Sequence, residues 1–216
     1  MDSGSVRFNM VAKLRQQGIE DPLVLAAMAS VERHRFVDSA LVNQAYEDTS
    51  LPIGQGQTIS KPSVVARMSE LLRAGSPGLL GRVLEIGTGC GYQAAVLSHL
   101  ATEVYTIERL RGLHEKARSN LRHLALPTVH LLLGDGMLGY AKGAPYAAII
   151  AAAGGEALPQ AWIDQLAVGG CIIAPVNNRA DGGGKQSLVM VRKSVTGISR
   201  SVLEAVHFVP LKSGVA

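Results

Sequence analysis

The stretch that decides the fold is Val83-Leu84-Glu85-Ile86-Gly87-Thr88-Gly89-Cys90-Gly91-Tyr92. An apolar run suited to a buried strand ends at Ile86, and three glycines then occupy five positions before a helix begins. Glycine is needed where the backbone turns sharply and where a ligand must approach it without a Cβ in the way. The first strand-to-helix crevice of an α/β sheet is also where ligands bind. The stretch therefore predicts a ligand-binding turn that uses Gly87, Gly89 and Gly91.

Strands and helices alternate through the chain that follows this turn. The apolar patterns predict strands at 82–86, 103–107, 128–133, 146–151 and 170–176, with helices at 92–100, 110–124 and 159–166. A glycine-rich hairpin at 181–184 then leads into a strand at 186–192 and an extended segment at 198–210. Alternation followed by a hairpin predicts an α/β fold, with a doubly wound, mostly parallel sheet and an antiparallel C-terminal edge.

The chain before this region predicts a helical extension. Helices are expected at 3–18 and 22–33, the second opened by Asp21 as N-cap and Pro22 at the first helical position. Residues 46–61 have the Pro, Gly and Ser content of a structured loop, and Pro62 opens a helix to about residue 73. A length of 216 residues suits one domain. We expect a single domain over 1–216, with helices and an active-site loop at 1–62 and a cofactor-binding core with C-terminal substrate-side strands at 63–216.

Acidic residues follow three successive strands and indicate the ligand. Glu85 stands just before the glycine turn, where it would repel a pyrophosphate but suit a ligand with an ammonium and a sulfonium. Glu108 ends the second strand, where a carboxylate can accept both ribose hydroxyls of an adenosine, and Asp135 is placed to meet the adenine amino group. One such acid alone would be a solvated loop-end residue. Three together predict S-adenosyl-L-methionine, with S-adenosyl-L-homocysteine as product.

Composition excludes several other classes of protein. The formal net charge is +4, but the basic residues are scattered and no aromatic-rich basic face is visible, so nucleic acid is not expected as a partner. The two cysteines form no CxxC pair, no Cys/His cluster has metal-ligand spacing, and no metal site is predicted. No secretory signal is visible, and the apolar run at 147–153 is too short to span a bilayer. We expect a cytoplasmic monomer with no membrane association.

Several segments resemble the protein-L-isoaspartate O-methyltransferases, and the resemblance extends over almost the whole chain. Residues 51–62 (LPIGQGQTISKP) resemble the signature loop of that family, and residues 83–93 (VLEIGTGCGYQ) resemble its cofactor motif. Residues 35–37 (RFV), 134–136 (GDG) and 206–211 (VHFVPL) also match. The signature loop is specific, whereas the glycine turn alone would identify only the wider class of methyltransferases. The resemblance implies a Rossmann-like methyltransferase fold and isoaspartyl-containing proteins and peptides as substrates.

The resemblance also implies roles for individual residues. The family's active-site serine corresponds to Ser60, and the loop that closes over cofactor and substrate corresponds to Gln57, Thr58 and Ile59. The family's ribose acid corresponds to Glu108, and its adenine-side pair corresponds to Asp135 and Gly136. Val206 falls in the stretch that resembles the one lying along the substrate peptide. The residues alone leave other interpretations open. Ser60 would then be the N-cap of the helix that Pro62 opens, and Val206 would be strand core.

Three positions depart from the family pattern and keep rival functions in view. Ala147 stands where the family has Asp, Ala152 where it has Thr, and Met137 where bacterial members commonly have Trp. These departures make an adenosylmethionine-binding scaffold without activity conceivable. A nucleic-acid methyltransferase is disfavoured because the fourth strand is followed by Ala-Ala-Gly-Gly, not by an Asn/Asp-Pro-Pro-aromatic or Pro-Cys motif. The G-x-G-x-G spacing disfavours an NAD oxidoreductase, whose fingerprint is G-x-G-x-x-G.

Overall fold

The computed structural model describes residues 3–177 and 185–216. The helices are α1 (Ser3–Gln16), α2 (Pro22–Ser30), α3 (Pro62–Arg73), α4 (Tyr92–Leu97), α5 (Arg111–Arg122) and α6 (Gln160–Gln165). The strands are β1 (Leu51–Gly54), β2 (Gln57–Ile59), β3 (Leu80–Ile86), β4 (Ala101–Glu108), β5 (Val129–Leu133), β6 (Tyr146–Ala151), β7 (Leu166–Asn177), β8 (Gln186–Ser194) and β9 (Gly197–Val206). Short 3-10 turns lie at Arg33–Phe36, Ser39–Gln44, Gly136–Leu138 and Ala141–Gly143.

The main sheet has the strand order β5-β4-β3-β6-β7-β8-β9. Strands β5, β4, β3, β6 and β7 run parallel to one another. Strand β8 pairs antiparallel with β7, and β9 pairs antiparallel with β8. This arrangement confirms the predicted doubly wound, mostly parallel sheet with an antiparallel C-terminal edge. Chain order reverses between β3 and β6, so the carboxyl ends of β3, β4 and β6 border the crevice where such sheets bind ligands.

The N-terminal helices pack onto this core. Met28 and Phe36 are fully buried in one apolar cluster with Tyr92 and Val96 of α4, and the ring centroids of Phe36 and Tyr92 lie 5.5 Å apart. The predicted cap of α2 is confirmed, because the Asp21 carboxylate accepts hydrogen bonds from two backbone amides of the first turn. None of the helices within the described residues is both long enough and apolar enough to cross a membrane.

The main departure from the predicted elements lies at residues 46–61. This segment was expected as a loop, but it contains the antiparallel hairpin β1–β2, in which Leu51 pairs with Ile59. Gln55 and Gly56 form the turn between the strands, and both have positive φ, as does Gly54 at the end of β1. Its glycines and Pro52 indicate a loop, yet Leu51 and Ile53 are buried while the residues after them are exposed, which is the alternation of a strand. The predicted glycine-rich hairpin at 181–184 lies outside the described residues.

Candidate functional site

A cavity opens at the carboxyl ends of β3, β4 and β6, where the sheet topology predicts a ligand. Its floor is the glycine turn after β3 and the end of β4. The hairpin β1–β2 and residues 209–212 form its other walls. Of the residues predicted for the site, those that line the cavity are Gln57, Thr58, Ile59, Ser60, Gly87, Gly89, Glu108 and Gly136. Glu85, Gly91, Asp135 and Val206 do not line it.

The three glycines of the turn have different reasons to be glycine. All three have positive φ, the backbone region that side chains disfavour. A Cβ on Gly87 would contact Ala152 at the end of β6, and one on Gly89 would lie 3.2 Å from Ile53 of the hairpin. A Cβ on Gly91 would instead meet Leu121 of α5 at 3.1 Å. Gly87 and Gly89 therefore keep the turn close to the cavity, whereas Gly91 lets α4 and α5 pack.

Glu108 joins the end of β4 to the glycine turn. Its side chain is buried, one carboxylate oxygen accepts the Gly89 N–H at 2.9 Å, and the other accepts the Leu110 N–H at 2.9 Å. A carboxylate has about four lone-pair positions, so each oxygen can still accept a ligand hydroxyl. The two backbone bonds hold the carboxylate in one orientation facing the cavity. Its contact with the ribose of a cofactor stays a prediction.

Glu85 lies beneath the glycine turn and not in the cavity wall. The residue is fully buried, and one oxygen accepts a hydrogen bond of 2.5 Å from Thr106, whose hydroxyl lies 2.6 Å from that of Thr88. Desolvation raises the pKa of the Glu85 carboxyl to about 8, and the charge of Glu108 adds to the rise, while the hydrogen bond from Thr106 opposes it. The carboxyl therefore holds its proton over much of the neutral range. Direct contact with a cationic cofactor stays a prediction, and Thr88 is the member of this network that lines the cavity.

Asp135 lies beside the cavity, with both carboxylate oxygens engaged by backbone amides. One oxygen accepts the Met137 N–H at 2.9 Å, and the other accepts the Gly214 N–H of the C-terminal segment at 2.7 Å. Gly136 lines the cavity itself, and a Cβ there would clash with Ile86 of β3. The predicted contact of Asp135 with adenine stays a prediction.

Ser60 faces the cavity at the junction of β2 and α3. The alternative interpretation as an N-cap is wrong, because Lys61 occupies the N-cap position and the side chain that accepts a first-turn amide of α3, the Ser63 N–H at 2.9 Å, is that of Asp48. The Ser60 side chain is half-buried, and its wall position places the hydroxyl in the same cavity as Gly87 and Glu108. The hydroxyl is therefore placed to bind a ligand without a role in starting the helix.

Several lining residues were not predicted. Ile53 and Gln93 belong to the quoted motifs but were assigned no role, and Arg109 directly follows Glu108. On the C-terminal side, Leu211 and Lys212 line the cavity, whereas the predicted Val206 pairs with Gln186 inside the sheet. The resemblance at 206–211 located this segment, but only tertiary structure shows that its second half reaches the site.

The departures from the family pattern lie at different distances from the cavity. Ala147 is at the amino end of β6, five residues before Ala152, which corresponds to roughly 16 Å along a strand. Its Cβ instead lies near Gly81 of β3. Ala152 and Ala153 line the cavity, and Met137 does not. Ala147 therefore lies away from the cavity, and the departure at this position gives the scaffold alternative no support.

Comparison with known proteins identifies the family of this chain. The family model described as protein-L-isoaspartate(D-aspartate) O-methyltransferase matches residues 6–216. The protein-L-isoaspartate O-methyltransferase of Methylibium petroleiphilum is 59% identical, over 99% of this chain and 80% of its own length. The protein with the same name from Leptothrix cholodnii is 57% identical, over 99% of this chain and 76% of its own length.

Solved structures share the fold. A structure named protein-L-isoaspartate O-methyltransferase superposes with a TM-score of 0.85 at 28% identity, covering 96% of this chain and 66% of that one. A putative protein-L-isoaspartate O-methyltransferase from Plasmodium falciparum, solved in complex with S-adenosyl-L-homocysteine, gives a TM-score of 0.79 at 24% identity, over 95% of this chain and 98% of that one. The family match over nearly the full length confirms the resemblance found in the sequence. This chain belongs to the protein-L-isoaspartate(D-aspartate) O-methyltransferase family.

Proposed function

We propose that this family member transfers a methyl group from S-adenosyl-L-methionine to the free α-carboxylate of L-isoaspartyl residues in damaged proteins and peptides, and that Ser60 orients the acceptor. The methyl ester then collapses to a succinimide, whose hydrolysis returns some normal aspartate. The activity rests on family membership together with the specific loop at residues 51–62. The roles assigned to Ser60 and Glu108 rest on one observation: Ser60, which follows β2, and Glu108, which ends β4, line the same cavity.

The described residues fit the cofactor. Gly87 and Gly89 bring the backbone to the cavity without side chains in the way, and the buried Glu108 offers acceptors for ribose hydroxyls. Gln93 lines the same cavity, and its buried amide nitrogen has no hydrogen-bond partner within the described residues, so it can donate to a bound ligand. When bound, the cofactor supplies an electrophilic methyl on a sulfonium. The chain supplies position and a site from which water is excluded.

No histidine is among the described residues that line the cavity, and the chemistry of the acceptor does not require one. An α-carboxylate has an ordinary pKa of about 3.5 and is ionised at neutral pH, so its oxygen needs no general base. The Ser60 hydroxyl can donate to that carboxylate and fix one oxygen toward the methyl. A neutral donor does this without burying a counter-charge, whereas an ammonium at this position would stabilise the ground state and repel the sulfonium.

The experiment is Ser60→Ala, with Ser63→Ala in the first turn of α3 as the matched control. A hydrogen bond to a charged group contributes about 1.5–3 kcal/mol, so kcat/KM for an isoaspartyl peptide should fall roughly 10- to 150-fold. Affinity for S-adenosyl-L-homocysteine and the melting temperature should stay unchanged, because Ser60 does not cap α3. The control should retain full activity. A fully active Ser60→Ala enzyme would remove Ser60 from the mechanism, and labelled methyl transfer that does not distinguish isoaspartyl from aspartyl peptide would contradict the function.

We further propose that residues 1–216 form a single domain, which acts as a monomer in the cytoplasm and has no nucleic-acid or membrane partner. Residues of the N-terminal hairpin and of the C-terminal segment meet in one cavity with the core, which supports one domain and a site complete within one chain. Both cysteines are free and buried, which suits a reducing compartment.

A further inference from the structure

Lys116 connects the core to the hairpin that carries Ser60. This residue lies on α5, and its ammonium donates to the Ile53 carbonyl at 2.9 Å and to the Asp38 carboxylate at 2.9 Å. Its side chain is 27% exposed, so the contacts are only partly screened by water. A lysine ammonium has three donors and can bind a carbonyl and a carboxylate together. The side chain therefore joins three separate segments of the chain.

The hairpin lies against the core at two further points. The buried side chain of Ile53 reaches to 3.2 Å from the position that a Cβ on Gly89 would occupy. The Gln55 side chain fills the space beside Gly112, in the first turn of α5, where a Cβ would clash with it. The side chain of Ile53 thus lies against the glycine turn, and the backbone carbonyl of Ile53 accepts the hydrogen bond from Lys116. A movement of β1 away from α5 would open the cavity on the side of the glycine turn.

We infer that Lys116 is a positioning residue that holds the β1–β2 hairpin closed over the cavity. Lys116 is not among the residues that line the cavity. It acts through Ile53, which covers the glycine turn, and through the hairpin strand that leads to Ser60. The effect on peptide methylation rests on the proposed function, whereas the effect on cofactor affinity does not.

The test compares Lys116→Met with Lys116→Arg and with Arg118→Met. Methionine keeps the aliphatic stem and removes the ammonium, and arginine keeps the charge and the donors. Arg118 lies on the same helix in a solvent-exposed pair with Glu115, so its loss controls for the removal of a cation from α5. Asp38→Asn is a second variant that weakens one contact and leaves the Ile53 carbonyl in place.

Each variant is measured in three ways: calorimetry with S-adenosyl-L-homocysteine, hydrogen exchange of residues 51–60, and kcat/KM for an isoaspartyl peptide. Lys116→Met should weaken the affinity for S-adenosyl-L-homocysteine roughly 5- to 30-fold, which corresponds to a loss of about one to two kcal/mol in binding free energy. Exchange in residues 51–60 should rise while exchange in β3 and β4 stays the same, which a general loss of stability would not produce. Lys116→Arg should restore most of the affinity, Asp38→Asn should show a smaller loss, and Arg118→Met should match the natural chain.

Unchanged affinity and unchanged exchange in Lys116→Met would overturn the inference, as would an equal effect of Arg118→Met. If Lys116→Met does not fold, Asp38→Asn decides by the same two measurements. The outcome is separate from that for Ser60. If the natural chain is inactive or does not distinguish isoaspartyl from aspartyl peptide, the proposed function is contradicted. If Lys116→Met still weakens the affinity for S-adenosyl-L-homocysteine, the positioning role of Lys116 is nevertheless supported.

Discussion

Glu85→Gln should make the stability of this protein less dependent on pH. The Glu85 carboxyl is fully buried, and desolvation raises its pKa from 4.5 to about 8. Because the pKa of Glu85 is raised, the folded state holds this proton more tightly than the unfolded chain does. The contribution of Glu85 to the free energy of unfolding is therefore most favourable below pH 4.5 and becomes less favourable as the pH rises to about 8. Integrating this difference gives a cost of roughly 1 kcal/mol at pH 5.5 and roughly 4–5 kcal/mol at pH 8.5.

Glutamine removes the charge at nearly constant shape. Its amide oxygen can accept the hydrogen bond from Thr106, and its nitrogen takes the place of the carboxylate oxygen that has no partner. The variant should therefore gain stability over the natural chain, and the gain should increase by about 3 kcal/mol between pH 5.5 and pH 8.5. Urea unfolding at both pH values measures the difference directly, and comparison at each pH cancels the titration of all other groups.

Glu115→Gln is the matched control, because its carboxylate is about half exposed on α5. Its stability should follow that of the natural chain at both pH values. A constant difference between Glu85→Gln and the natural chain would show that Glu85 is already charged at pH 5.5 in the folded protein. The account of Glu85 as a buried, largely protonated support for the glycine turn would then be refuted.

Two further predictions concern the cofactor half of the site. Glu108→Ala should lower affinity for S-adenosyl-L-homocysteine in calorimetry, because ribose hydroxyls lose a charged acceptor and the Gly89 N–H loses its partner, at about 1.5–3 kcal/mol for each such bond. Unchanged affinity would exclude Glu108 from the site. Ala147→Asp should change neither this affinity nor kcat/KM, because Ala147 lies at the opposite end of β6 from the cavity. A large gain in turnover would show that the amino end of β6 communicates with the site.

The fold was largely predictable because each element has a local cause. The glycine turn after β3, the alternation of strands with helices and the Asp21-Pro22 helix start depend on neighbours within a few residues. The hairpin β1–β2 was missed because its short strands contain Pro52 and are separated by glycines, which are also features of a loop. What makes it a hairpin is the burial of Leu51 and Ile53 against the core, and burial of this kind depends on tertiary contacts.

The site was predictable only where one segment supplies both the motif and the cavity wall. Gly87, Gly89 and the run from Gln57 to Ser60 meet that condition. Position along the chain gives no information about depth, so the sequence did not reveal that Glu85 is fully buried and outside the cavity wall, and its contact with a cofactor stays a prediction. Lys212 reaches the site from the far end of the chain because Val209 and Leu211 hydrogen-bond to the backbone of Gly154, a long-range contact that no local pattern specifies.

The chemistry of the acceptor assigns selectivity to the hairpin and the C-terminal segment. The α-carboxylate of an isoaspartyl residue and the side-chain carboxylate of a normal aspartyl residue have ordinary pKa values of about 3.5 and about 3.9, so both are ionised at neutral pH. Charge therefore cannot distinguish them, and neither can the affinity of a hydroxyl such as that of Ser60 for a carboxylate.

Isoaspartyl and aspartyl residues differ in the path that the peptide backbone takes away from the carboxylate. We propose that discrimination comes from the cavity walls that this backbone would contact, formed by residues 57–60 and by residues 209–212. Because Ile53 of the hairpin accepts a hydrogen bond from Lys116 of α5, the choice of substrate would then depend on a contact that lies outside the cavity.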